Sequence, residues 1–146
     1  MKYKLRSAVK NDSNIIKTLV RQARLNPFDL DWRRFIVATT PQEGVIGCGQ
    51  IKRHRDGSRE LASLVVDPEY RGDGIGKTIL EQLLANHPTP IYLTCLSSLM
   101  EYYESFGFTV TTNNDLPPYF CRLKRLFNIF RIFSKSQEDL LIMSII

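Results

Sequence analysis

Residues 65–84, VVDPEYRGDGIGKTILEQLL, restrict what this chain can fold into more than any other stretch. An apolar run ends at Val66-Asp67-Pro68, and glycines follow at 72, 74 and 76. Ile75, Ile79, Leu80, Leu83 and Leu84 then recur at helical spacing. The pattern predicts a strand, a tight turn and a helix that starts inside the turn. Glycine lets the backbone adopt left-handed conformations and come close to an anion. The unpaired N–H groups of a helix start, with the helix dipole, favour a diphosphate there. A plain strand-to-helix connection is the alternative, but such turns rarely need three glycines.

Two nucleotide fingerprints fail at specific residues. A Walker A loop needs a glycine five positions before Gly76, where Arg71 stands. The dinucleotide pattern G-x-G-x-x-G ends on Lys77 if it starts at Gly72, and on Ile79 if it starts at Gly74. What remains is Arg71-x-x-Gly74-x-Gly76.

The rest of the chain supplies an alternating order of elements. YKLRSAV (3–9) reads as a strand, and Ile15, Ile16, Leu19, Val20 and Ala23 as a helix that Asp12 or Ser13 can cap. RFIVATT (34–40), GVIGCGQIKRH (44–54) and SRELASLVV (58–66) read as successive strands, the last two joined at Asp56-Gly57. After the glycine turn and its helix come PIYLTCL (90–96), a short helix in SSLMEYYESFGF, the strand FTVTT and a final strand DLLIMSI (139–145). A strand meander followed by βαβ units predicts an α/β fold with a mixed sheet of about six to seven strands and helices on both faces. The expected organisation is one domain over 1–146, with a basic amphipathic insertion at about 113–138.

Two landmarks in register resemble the GNAT superfamily of acyl-CoA-dependent N-acyltransferases. One is the R/Q-x-x-G-x-G/A turn after a V-x-P strand end. The other is Y-E-x-x-G-F, present as Tyr103-Glu104-Ser105-Phe106-Gly107-Phe108. The resemblance covers about 1–112 and the last strand.

It implies central splayed strands that hold acetyl-CoA as cosubstrate, with no metal. Backbone amides of Gly72, Asp73, Gly74, Ile75, Gly76 and Lys77 would bind the pyrophosphate, with charge from Arg71. The edge Leu64-Val65-Val66 would pair with the pantetheine arm and supply an oxyanion donor. Tyr103 would protonate the leaving thiolate, with a core aromatic at the helix end as the competing reading. The adjacent Tyr102 and Tyr103 point in different directions, so one of the two can be core. The fifth-strand position used by some members for a glutamate base falls on Thr94, which cannot serve. The fourth-strand alternative falls on Glu60, which alternation sets on one face with Ala62 and Leu64. The competing readings of Glu60 are a surface residue at the hairpin end, and proton removal by water alone. The asparagine frequent before the tyrosine is missing from SSLMEYY.

On the acceptor side the resemblance points to Phe28, Asp31 and Trp32 in one loop and Tyr119 and Phe120 in another, with core packing as the competing fate. The expected reaction is direct attack of a primary amine, on a small molecule or protein, in a ternary complex. The alternative is a non-catalytic acyl-CoA-binding regulatory module.

Charge addresses partners. The net charge of +5 comes from 20 basic and 15 acidic residues, and residues 117–135 hold five of the basic ones and no acid. The remainder is balanced at 15 against 15, which argues against nucleic acid. Within that segment Leu123, Leu126, Phe127, Phe130 and Phe133 form an apolar stripe. Three readings compete: a helix packed on the domain or on a second copy in a homodimer, a lid over the acceptor, or, least expected, a contact with an anionic membrane surface. Cys48, Cys95 and Cys121 are odd in number and form no CxxC pair, and the first residues carry no apolar signal region. Both features predict a cytoplasmic protein.

Overall fold

The computed structural model describes residues 2–111, 116–133 and 139–146, with the backbone alone for 129–133. The elements follow in the order β1 (Lys4–Ser7), α1 (Ser13–Gln22), β2 (Phe35–Thr40), β3 (Gly44–Arg53), β4 (Arg59–Val66), α2 (Ile75–Asn86), β5 (Ile91–Leu96), α3 (Met100–Glu104), β6 (Thr109–Val110), α4 (Pro118–Phe133) and β7 (Leu140–Ile145). The seven strands hydrogen-bond in the order β1-β2-β3-β4-β5-β7-β6. The β4–β5 pair is parallel, through Glu60 and Tyr92, whereas β1–β2, β2–β3, β5–β7 and β6–β7 are antiparallel. The mixed sheet matches the expected fold class. Two compact units partition the chain: 1–52 with 61–88, and 53–60 with 89–146.

In the first unit, side-chain alternation sends two sets of residues to opposite faces. Val37, Cys48 and Val65 join Ile16, Leu19 and Val20 of α1 in one buried cluster. Gly47 and Gly49 face α2 instead. A Cβ on Gly49 would lie 3.0 Å from Ile79, 3.1 Å from Leu83 and 3.2 Å from Leu64. One on Gly47 would lie 3.2 Å from the Val65 carbonyl oxygen. The helix therefore packs onto bare strand backbone. Gly49→Val is expected to destabilise the fold by about 1–3 kcal/mol through overpacking, read as a lower urea midpoint at constant m-value.

Asp12 occupies the position before α1 but does not cap it with its side chain. Its carboxylate instead accepts the Val9 amide at 2.8 Å and the Arg6 guanidinium at 2.6 and 3.1 Å. The Arg6 bond outweighs burial and holds Asp12 below the usual carboxylate range.

In the second unit, α4 packs through Phe120, Leu123 and Phe127 against Tyr92 and Ile142. The helix starts at Pro118, earlier than the basic run suggests, so Tyr119 and Phe120 lie in its first turn rather than in a loop. The buried stripe is shifted accordingly. Phe120 is fully buried, which removes it as a recognition residue, while Leu126 is 48% exposed. The side chains of Phe130 and Phe133, the last residue of the expected strand FTVTT at 112, and residues 113–115 and 134–138 of the insertion lie outside the described residues.

Candidate active site

β4 ends at Val66, Asp67 caps a short turn by accepting the Glu69 amide at 3.0 Å, and α2 begins eight residues later. The link between them forces the backbone into left-handed conformations at Gly72 (φ +95) and Gly74 (φ +77). Gly74, which has no side chain to cap with, is the N-cap of α2. The first intrahelical donor is Thr78, whose amide meets the Gly74 carbonyl at 3.0 Å. The amides of Ile75, Gly76 and Lys77 are thus the orphan donors of the helix start. Among the described residues, no heavy atom lies within 4 Å of where a Cβ on Gly72 or Gly74 would stand, and residues 71–74 are exposed. An open, positively polarised cradle at the end of a strand is what a diphosphate needs.

Flanking charges are modest. Arg71 is exposed and its Nε donates to the Val66 carbonyl at 3.3 Å, which ties the turn to the end of β4. Lys77 is exposed and only loosely paired with Glu81, at 3.9 Å. Asp73 is exposed, and Ile75 is buried in the helix–sheet contact.

The edge Leu64-Val65-Val66 departs from the expected alternation. Ser63, just before it, has φ +58 within β4, the kind of backbone irregularity that breaks a two-residue repeat. Glu60 is buried, Ala62 and Leu64 are half-buried, and the Leu64 side chain lies by Gly49 on the α2 face. The Val65 side chain sits in the α1 cluster. The Leu64 and Val65 side chains are thus taken up in packing on opposite faces.

In the second unit, Tyr103 is half-buried at the end of α3, edge-on to Tyr102 at 5.1 Å and to Phe108 at 6.1 Å. Burial, reinforced by Tyr102 and Cys95, pushes its phenol well above the ordinary tyrosine value. It keeps its proton across neutral pH, the state a proton donor to a thiolate needs. Tyr102 is 40% exposed, so Tyr103 rather than Tyr102 is the more enclosed of the two.

Glu60 is not a surface hairpin residue. It is 7% exposed, and its carboxylate meets His54 Nε2 at 2.8 Å. The His54 ring stacks on Tyr119 with centroids 3.5 Å apart, and Phe120 lies edge-on at 5.8 Å. Asp56, at the hairpin tip, accepts the Tyr119 amide at 3.0 Å and the Ser58 amide and hydroxyl at 2.8 and 2.6 Å. Desolvation works upward on Asp56, but these donors and His54 together bring it down to about 2. The hairpin tip therefore caps the start of α4. His54 and Asp56 were not legible as site residues from motifs. Following the register through the Asp56-Gly57 turn was the signal that could have found them.

On the first unit's loop, Phe28 is 75% exposed. Trp32 packs at the edge of the α1 cluster, with Arg33 over its ring at 5.1 Å. Asp31 turns inward to its own loop and accepts the Arg33 amide at 3.0 Å, which lowers its pKa. Of these three, Phe28 is the open one. Phe28, Trp32, the edge 64–66 and the turn 71–77 belong to the first unit, and Glu60, Tyr103 and Tyr119 to the second. Glu60 and Tyr119 are brought together by His54. Cys48 and Cys95 are buried strand residues, as expected, and burial alone pushes the Cys48 thiol up to about 12.

The family model for the acetyltransferase (GNAT) domain matches residues 31–110. Among solved structures, a Mycobacterium tuberculosis protein in complex with CoA and a second ligand is 22% identical, with a TM-score of 0.71 over 98% of this chain and 99% of that one. A GNAT-family acetyltransferase from Staphylococcus aureus is 17% identical, with a TM-score of 0.69 over 99% and 98%. The N-acetylglutamate synthase of Neisseria gonorrhoeae, with coenzyme A and N-acetyl-glutamate, is 16% identical, with a TM-score of 0.70 over all of this chain and 36% of the synthase.

Proposed function

Since this chain belongs to the GNAT acetyltransferase family, we propose that it transfers an acetyl group from acetyl-CoA to a primary amine by direct attack in a ternary complex. The observation that carries this reading is the start of α2: left-handed Gly72 and Gly74, an uncapped N-terminus and open space around both glycines. Those features fit a CoA pyrophosphate held by the amides of Gly72 through Lys77.

The chain's residues then divide the work. The main chain of Leu64-Val65-Val66 pairs with the pantetheine arm, and one of its N–H groups stabilises the tetrahedral oxyanion. The amine nitrogen bonds to the thioester carbonyl carbon and the carbon–sulfur bond breaks. Tyr103 gives its phenolic proton to the departing thiolate and regains one from solvent. Glu60 takes the proton lost by the amine, through water, with His54 holding its carboxylate. Acceptor recognition is assigned to Phe28 and Trp32 on the loop after α1, with Tyr119 as a further candidate. The acceptor is a primary amine of a small molecule or a protein. The three unpaired cysteines support a cytoplasmic setting.

Thr94 in place of a fifth-strand glutamate, and the lack of an asparagine in SSLMEYY, favour one second reading, an acyl-CoA-binding regulatory module without turnover. An amine panel read by mass, with free CoA measured in parallel, separates the two. Acetylated product with stoichiometric CoA release is expected. Acetyl-CoA binding with no product across the panel would leave the regulatory reading.

Glu60→Gln keeps size and a hydrogen bond to His54 but loses basicity. With an acceptor amine of low pKa, the rate is expected to fall and the acidic limb of the pH–rate profile to change. An unchanged rate and profile would assign proton removal to water.

A further inference from the structure

Gln50 has no solvent exposure, yet every polar atom of its side chain is engaged. Its oxygen accepts from Arg34 Nε at 3.2 Å. Its nitrogen donates to the Asp29 carbonyl at 3.3 Å and to the Ser63 hydroxyl at 2.9 Å. This orientation is forced, because the guanidinium can only donate and the carbonyl can only accept. Arg34 also donates to the Asp29 carbonyl at 2.9 Å and to its carboxylate at 2.6 Å. Lys52, equally buried on β3, donates to the Phe28 carbonyl at 3.2 Å. The backbone of the loop carrying Phe28 is therefore gripped at two consecutive carbonyls by side chains from β3 and its neighbour Arg34.

The other end of the network is Ser63. It is held by Gln50 at its hydroxyl and by the Cys48 thiol, 3.6 Å away, at its carbonyl. A serine at φ +58 inside a strand persists only where its surroundings fix it. The three residues that follow are Leu64-Val65-Val66.

We propose that Gln50 is a positioning residue for acetyl transfer: it holds the acceptor loop at Phe28–Asp29 and the thioester-pairing edge that begins after Ser63 at one fixed spacing. This rests on the acetyl-transfer reading above. One buried amide spans both sides of the reaction, so acceptor recognition and thioester placement are set together.

The test uses Gln50→Met, which keeps bulk and burial but removes every link, and Ser63→Ala, which removes only the strand-side link. The acceptor KM should rise about tenfold or more and turnover should fall in Gln50→Met, because acceptor and thioester are no longer held at one spacing. The acetyl-CoA dissociation constant should change less than about twofold, because the Gln50 hydrogen bonds run to Arg34, Asp29 and Ser63 and not to the pyrophosphate turn at the start of α2. Ser63→Ala should give a smaller rise in the same direction. The double variant should be no worse than Gln50→Met alone, as expected for residues acting through one contact. Amide exchange over residues 28–34 should speed up in Gln50→Met. An unchanged acceptor KM, additive effects, or a matching loss of acetyl-CoA affinity would overturn the proposal. If Gln50→Met does not fold, Ser63→Ala and the half-exposed Arg34→Met decide it by the same KM criterion. If the wild type acetylates no amine, the transfer reading has failed, and exchange over 28–34 still decides whether Gln50 holds the loop.

Discussion

Gly74→Pro is expected to raise the acetyl-CoA dissociation constant at least about tenfold, or roughly 1.4 kcal/mol. Gly74 has φ +77, and a pyrrolidine ring is locked near −65°. The variant must therefore reshape the N-cap and turn the first amides of α2 away from the anion. Gly76→Glu should give a loss of similar size by another route. It sets a carboxylate where the helix start would meet a diphosphate, and like charges repel there. The far-UV spectrum should remain that of a folded protein in both, because the buried stripe of α2 (Ile75, Ile79, Leu80 and Leu83) is untouched. ATP and NAD should bind far more weakly than acetyl-CoA. Unchanged acetyl-CoA affinity in a folded variant would show that the turn is not the pyrophosphate site.

Tyr103→Phe is expected to lower turnover by roughly 10²–10⁴-fold, the usual worth of a general acid. The ring keeps its edge contacts with Tyr102 and Phe108, so acetyl-CoA affinity should change little. The pH profile adds a second check. Burial raises the Tyr103 pKa, so its proton is present at neutral pH and is lost only above the ordinary tyrosine range. Tyr103 should therefore contribute no alkaline limb below about pH 10, and any limb there belongs to another group. Near-normal turnover in the variant would mean that the thiolate leaves unaided or that Tyr102 serves, and Tyr102→Phe distinguishes those cases.

The legible parts of this chain are those where local chemistry leaves one solution. The turn could be read because left-handed backbone at Gly72 and Gly74 needs glycine, and α2 because its apolar spacing is helical. The mixed character of the sheet follows from a meander ahead of βαβ units, but the place of β7 between β5 and β6, antiparallel to both, does not. What escaped depends on contacts remote in sequence. Ser63 carries no sign of a left-handed backbone, because the conformation is imposed by Gln50 and Cys48. Glu60 looked like a base or a surface charge, and only the folded hairpin brings His54 to it. The start of α4 was hidden because the apolar stripe read from the sequence begins only at Leu123, whereas the helix starts at Pro118, a residue that suits a first turn. The Asp56 carboxylate that receives its Tyr119 amide comes from a distant hairpin.

The missing side chains at Gly47 and Gly49 bear on more than packing. They let α2 settle directly onto β3, and the same helix carries the proposed pyrophosphate cradle at its N-terminus. The seating depth of the helix thus sets how far those amides stand above the sheet. A methyl added on β3 would act as a shim, lifting the cradle by tenths of an ångström relative to Leu64-Val65-Val66. Cofactor affinity in such a protein can be retuned from a strand that touches no ligand, through residues notable only for the atoms they lack.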